Sequence, residues 1–201
     1  TLARQHTICP DCGADARIIG LHGGPSGVLA VGTIGSAAGN RIWTAVVGGD
    51  LAAKQSPWLP QASGAKRGDW HAAMPRPEGG WWIAYPSSEI ALRLLAIDAN
   101  GAYVADHTIA QLSLPSAASA ELFADDGRTW LVVAEHSYGG PDKKLQLWQL
   151  DLEHGRATRR GTAELPDGLW VHAIAASQRR VVLAGRIKTD RPLVLWFALP
   201  P

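Results

Sequence analysis

Two cysteines and seven histidines are the side chains here with the widest chemical range. The cysteines frame one motif, Cys9-Pro10-Asp11-Cys12. A redox-active pair at this spacing needs a helix N-terminus to depress one thiol pKa, usually inside a βαβ unit. No helical periodicity follows the motif. A structural zinc site needs four ligands, and only His6 and His22 stand near this half-site in sequence. The simplest chemistry for Cys9 and Cys12 is a local disulfide or two packed thiols. A metal half-site and a redox pair are the alternatives.

A second set of polar residues recurs at matched spacing. Arg17, His71, Glu121 and His172 precede Ala30, Ala84, Ala134 and Ala184 by 13, 13, 13 and 12 residues. Two histidines and a carboxylate are plausible divalent-metal ligands. With the arginine they could equally hold an anion or a polar ligand. Trp70 and Trp170 stand one and two residues before the histidines, and an aromatic ring beside a polar group can stack on a sugar or anchor a partner chain. The plainer reading of the four polar residues is the lining of a water-filled channel, and of most of the nine tryptophans core packing. Trp43, Trp148 and Trp196 fall in matching strands and are expected between repeats, in the core.

The alanines that set this spacing belong to an internal repeat. Val28-Leu29-Ala30, Trp82-Ile83-Ala84, Val132-Val133-Ala134 and Val182-Leu183-Ala184 place them 54, 50 and 50 residues apart. An alternating strand follows each: Arg41–Val46, Ala91–Asp98, Lys144–Asp151 and Pro192–Phe197. Aligned on Thr44, Leu94, Leu147 and Leu195, these lie 50, 53 and 48 apart. Turn residues fall between, as Gly24-Pro25-Ser26-Gly27, Pro77-Glu78-Gly79-Gly80, Asp125-Asp126-Gly127, Gly48-Gly49-Asp50, Asn100-Gly101 and Glu153-His154-Gly155. Ala176–Arg179 is a weaker turn. Each copy reads as four short strands, with no period of 3.6 anywhere. Four such units, at about 14–60, 65–111, 117–165 and 168–201, predict an all-β, propeller-like array of antiparallel blades in a single domain.

The last copy runs out after its third strand. Gln5-His6-Thr7-Ile8 resembles Asp106-His107-Thr108-Ile109, the fourth strand of the second copy. Residues 1–9 are therefore expected to supply the missing strand and close the array, which removes two open sheet edges.

Leu122–Val133 followed by Leu145–Asp151 is similar to TolB-like and WD-repeat-like propeller blades. Asp125-x-Gly127-x-Thr129-Trp130 resembles the second half of a sialidase-type Asp box, with Phe123 where that box has Ser. No other copy has Asp-x-Gly-x-Thr-Trp, and none has a Trp-Asp pair. The resemblance implies the fold and not an activity. Propellers of this appearance carry about six to eight blades, so four blades form a small array or part of a larger one completed by another chain or segment.

Composition bounds the rest. At 201 residues with 46% apolar and 18% charged, the chain buries a sizeable core without staples. A net charge of +1 and short basic clusters, Arg156-Arg159-Arg160 and Arg179-Arg180, argue against nucleic acid as partner. No run of about 18 apolar residues predicts a membrane span. The chain starts at Thr1, which favours a periplasmic or secreted setting with a leader removed. No Gly-x-Ser-x-Gly, phosphate loop or His-Glu-x-x-His is present, and Gly23–Gly27 meets no helix, so it is a turn. The expectation is a non-catalytic binding or scaffold module presenting loops to a protein or saccharide partner. The alternative is a hydrolase or lyase acting at the axial mouth through His71, Glu121 and His172. No cofactor is expected; in the alternative, a divalent metal assists.

Overall fold

The structure, a computed structural model, describes residues 16–34, 41–48, 53–55, 70–88, 91–110, 112–114, 118–135, 143–177, 180–187 and 191–199. These residues form strands and turns, with no helix among them. The expected closing strand Thr1–Ile8 and the Cys9–Cys12 motif lie outside them. The chain divides into two compact units. One comprises Thr1–Lys66, Met74–Ile83 and Leu95–Asp106; the other comprises Arg67–Ala73, Ala84–Leu94 and His107–Pro201.

Among the described residues four antiparallel sheets account for all the strands, each following chain order from one edge to the other. The first sheet holds β1 (Ala16–Gly24), β2 (Gly27–Ile34), β3 (Arg41–Val47) and the short β4 (Ala53–Gln55). The second holds β5 (Ala72–Pro75), β6 (Trp81–Ser88), β7 (Ala91–Ile97) and β8 (Tyr103–Ala110). The third holds β9 (Ala118–Asp125), β10 (Arg128–Glu135), β11 (Lys144–Asp151) and β12 (Arg156–Glu164). The fourth has β13 (Trp170–Ser177), β14 (Arg180–Arg186) and β15 (Pro192–Ala198).

The turns follow their chemistry. Asp126 and Gly127 both take positive φ, 50° and 69°, and Asp125 pairs directly with Arg128. Two consecutive left-handed residues are what a two-residue hairpin needs to match strand twist. At the β7–β8 turn the Asp98 carboxylate accepts from the backbone N–H of Asn100 and of Ala102, each at 2.8 Å. The β11–β12 turn uses the same device, with Asp151 accepting from the His154 backbone N–H at 3.1 Å.

In the second unit the third sheet is buried on both faces. Its Phe123, Trp130, Val132, Ala134, Leu145 and Leu147 pack in one cluster with Val171, Val181, Leu183 and Leu199 of the fourth sheet and its flanks. Its other face carries Leu122, Leu131, Val133 and Trp148, each 5% exposed or less. Trp148 donates its indole N–H to Gln146 Oε1 at 3.1 Å, which satisfies a buried donor.

Trp196 departs from expectation. Trp43 and Trp148 are buried at 2% and 5%, but Trp196 is 69% exposed. The register supplies the reason. Trp148 pairs with Leu131, whereas Trp196 pairs with Val182, so it lies on the other face of its strand from Leu183 and Leu195. That face of the fourth sheet has no cover among the described residues.

Candidate binding site

β9 and β13 are the first strands of the third and fourth sheets, and they lie against one another. Ser119 on β9 donates its hydroxyl to the Val171 carbonyl on β13 at 3.4 Å. Trp170 and His172 flank Val171 in the chain. Glu121 is two residues from Ser119 and on the same face of β9, a step of roughly 7 Å along a strand. One hydrogen bond therefore ties together the segments that carry Glu121, Trp170 and His172.

Local sequence explains how each is aimed. The β13–β14 register slips between Val171 and Ala173, leaving His172 as the extra residue of a bulge. Bulges re-aim side chains, and His172 is exposed while its neighbour Val171 is 2% exposed. Gly185 faces this start of β13. A Cβ on Gly185 would lie 2.3 Å from the Trp170 carbonyl oxygen, so only glycine permits the approach. From the other side, Lys143, itself buried, donates to the Leu169 carbonyl at 3.2 Å, and its own carbonyl accepts from Leu165 N–H at 2.8 Å. The segment leading into Trp170 is thus held from two sides.

Glu121 stands opposite Val132 of β10, which is fully buried, and is flanked on its own face by Ser119 and Phe123. It is half-buried. Burial pushes its carboxyl up from the usual carboxylate range to about 7, because the apolar surroundings disfavour the charged form. Near neutral pH such a group exists both as acid and as carboxylate, so it can donate as well as accept. The next carboxylate on β9 is Asp125, four residues and roughly 13 Å further along.

The remaining candidates are placed differently. His71 precedes β5 and is buried at 8%, and Trp70 is buried at 3%, so neither ring faces solvent. Arg17 is the second residue of β1, in the first unit. Glu121 lies mid-strand, not at the start of its strand, because β9 begins three residues earlier than the repeat spacing implied. Among the described residues, no group of three or more His, Cys, Asp and Glu side chains is gathered so as to hold a metal ion. In the other unit, burial lowers the pKa of His22 on β1.

Ser119, Lys143 and Gly185 escape a sequence reading. Ser119 sits in a run of Ala and Ser with no periodic signature. Lys143 looks like one of two surface lysines. Gly185 falls inside an alternating strand, and an isolated strand glycine does signal a bulge or a close approach. It is the one clue of the three that a sequence carries.

Two arginines of the Arg156-Arg159-Arg160 cluster are engaged by their own sheet. Arg159 stacks over the Trp148 ring at 5.7 Å, and Arg160 donates to Gln149 at 2.9 Å. Among the described residues no helix is long and apolar enough to cross a membrane.

No protein-family model matches the chain, and no curated protein sequence matches it. Solved structures do. The chain is similar to the GH43 endo-arabinanase from Bacillus licheniformis, with a TM-score of 0.52 and 11% identity over 89% of this chain and 71% of that one. A subtype N11 neuraminidase-like protein of the A/flat-faced bat/Peru isolate (H18N11) gives a TM-score of 0.44 and 9% identity over 84% of this chain and 48% of that one. The first likeness, together with four antiparallel blade-like sheets, defines the fold as an all-β propeller.

Proposed function

We propose that this propeller is a non-catalytic saccharide-binding module whose sugar contacts come from Glu121, Trp170 and His172. The observation that carries the reading is the β9–β13 juxtaposition fixed by the Ser119–Val171 hydrogen bond. It brings together the strands that carry an aromatic ring, an imidazole beside a bulge and a carboxyl that can both donate and accept. Sugars offer C–H faces that stack on Trp and hydroxyls that need mixed donors and acceptors. Gly185 and Lys143 hold the geometry before ligand arrives, which lowers the ordering cost of binding.

Glu121 favours one second reading, a glycoside hydrolase with Glu121 as general acid, since a carboxyl titrating near 7 is suited to proton donation at neutral pH. That chemistry needs a second carboxylate about 5–9.5 Å away. Asp125 is too distant along β9, and β13 carries no acidic residue. Binding without catalysis therefore accounts better for these strands.

Arabinan oligosaccharides are the first probe, chosen for the likeness to an endo-arabinanase, followed by a panel of neutral oligosaccharides in calorimetry. Trp170→Ala should weaken binding about tenfold or more. Glu121→Gln should leave binding within a few-fold. Release of reducing ends by the wild type, abolished in Glu121→Gln, would establish the hydrolase instead. A panel with no binder at millimolar concentration would overturn both.

A further inference from the structure

Glu121 lies in the seam between the third and fourth sheets. On its face of β9 it is flanked by Ser119 and Phe123, and both reach the fourth sheet. Ser119 does so through its bond to the Val171 carbonyl at 3.4 Å, and Phe123 through the apolar cluster it shares with Val171, Val181 and Leu183. No hydrogen bond or ion pair joins the half-buried Glu121 carboxyl to another described residue. Charged groups stand toward the ends of the strands around it. β9 packs on β10 and β13. On Glu121's face the third sheet carries Asp125 and Arg128 at the β9–β10 turn, Asp151 and Arg156 at the β11–β12 turn, and Lys143, which is held on the Leu169 carbonyl. β13 offers only His172, exposed on its bulge. β14 places Arg180 and Arg186 on the face of the exposed Val182, and β15 has no charged residue. A carboxyl so placed suits an apolar seam when neutral; once ionised, it must draw water in between the sheets. Its pKa, pushed up to about 7 by burial, reflects the same penalty.

We propose that the β9–β13 seam is a proton-operated latch on the saccharide site: with Glu121 neutral the seam is closed and the start of β13 is held in place, and with Glu121 ionised the seam takes up water and the site loosens. The ligand of this latch rests on the saccharide reading above; the latch itself rests on the strand geometry. Saccharide binds the closed form, so affinity falls as pH rises past neutrality. The sign follows from linkage. Opening the seam at neutral pH releases the Glu121 proton, so raising the pH favours the open form. One proton limits the loss of closed form to about tenfold per pH unit.

The test uses the full chain at about pH 6 and about pH 8.5, on either side of the Glu121 titration. Hydrogen exchange of the ligand-free protein, corrected for intrinsic rates, should show β9 and β13 amides less protected at the higher pH in wild type. Glu121→Gln should abolish that step, and His172→Gln should keep it, which assigns the step to the carboxyl. Melting temperatures of both variants keep loss of fold apart from loss of the latch. In calorimetry, arabinan oligosaccharide, or the neutral oligosaccharide of the panel that binds, should lose affinity about threefold to thirtyfold over the same range in wild type. Glu121→Gln should show no such step. Equal protection of the wild type at both pH values overturns the latch. So does an exchange step that survives Glu121→Gln or vanishes in His172→Gln, or an affinity that does not follow the exchange. Failure of every saccharide to bind overturns the saccharide reading instead, and the exchange measurement still decides the seam.

Discussion

The third and fourth sheets share one sequence pattern and differ in what covers it. By the alanine alignment and the strand register, Val132, Leu145 and Leu147 correspond to Val182, Val194 and Trp196. The first three are 0%, 6% and 8% exposed; the second three are 37%, 65% and 69%. Both strands alternate in sequence, and the β10–β11 and β14–β15 ladders both run without a register shift. Strand formation is therefore a local property of the pattern, whereas burial depends on whether another sheet arrives on that face. An apolar position is worth its transfer free energy only when water is removed from it.

That difference should appear directly in stability. Leu147→Ala opens a cavity between two packed sheets and should cost about 2–5 kcal/mol in chemical denaturation. Trp196→Ala removes a larger side chain from a wet face and should change stability by less than about 1 kcal/mol. Equal costs would mean that the Trp196 face is covered in solution.

A second contrast lies within β14, between Gly185 and Val182. Gly185→Val drives a side chain into the Trp170 carbonyl, since the Cβ alone would lie 2.3 Å from its oxygen. It should destabilise by about 1–3 kcal/mol as other overpacking substitutions do, and it should weaken saccharide binding more than Val182→Ala in the same strand. Calorimetry on both variants compares them.

Glu121 gives the third sheet a pH dependence. Its folded pKa, about 7, is raised above the ordinary value of 4.5. The folded state therefore holds the proton more tightly than the unfolded one. This contribution is fully present below pH 4.5, falls as pH rises to about 7, and is gone above that. Glu121→Gln should flatten this part of the stability profile and raise the melting temperature at pH 8 relative to wild type. A wild-type profile already flat between those values would remove Glu121 from its half-buried setting.

The smallest effect is expected at the β11–β12 turn. The Asp151 carboxyl is held below its ordinary value chiefly by the backbone N–H of His154, with the His154 side chain adding to it. Its sign is the opposite of Glu121: the contribution is present above the ordinary Asp pKa and is lost as pH falls through the lowered one. Asp151→Asn should produce only a slight fall in melting temperature at pH 7, and none in strong acid, because the site is exposed.

Much of the fold is legible in the amino-acid sequence. The period near 50 residues, the alternating strands and the Asp126-Gly127 and Asn100-Gly101 turns are local signals, set by side-chain direction along a strand and by which residues tolerate positive φ. Part of the candidate site is legible too, since counting from Ala134 and Ala184 finds Glu121 and His172. Their setting is not. The bulge that aims His172 depends on Gly185 of the next strand, and the bond from Ser119 spans 52 residues.

The sequence by itself determined that this chain is a string of short antiparallel strands grouped in repeats, because period and turn chemistry act between near neighbours. Only the tertiary structure decided which apolar stripes are core and which are surface, that Trp70 and His71 are buried, that Trp196 is not, and that Glu121 titrates near neutrality. Each of those outcomes depends on how much water a distant part of the chain excludes, and no residue carries that information in its own neighbourhood.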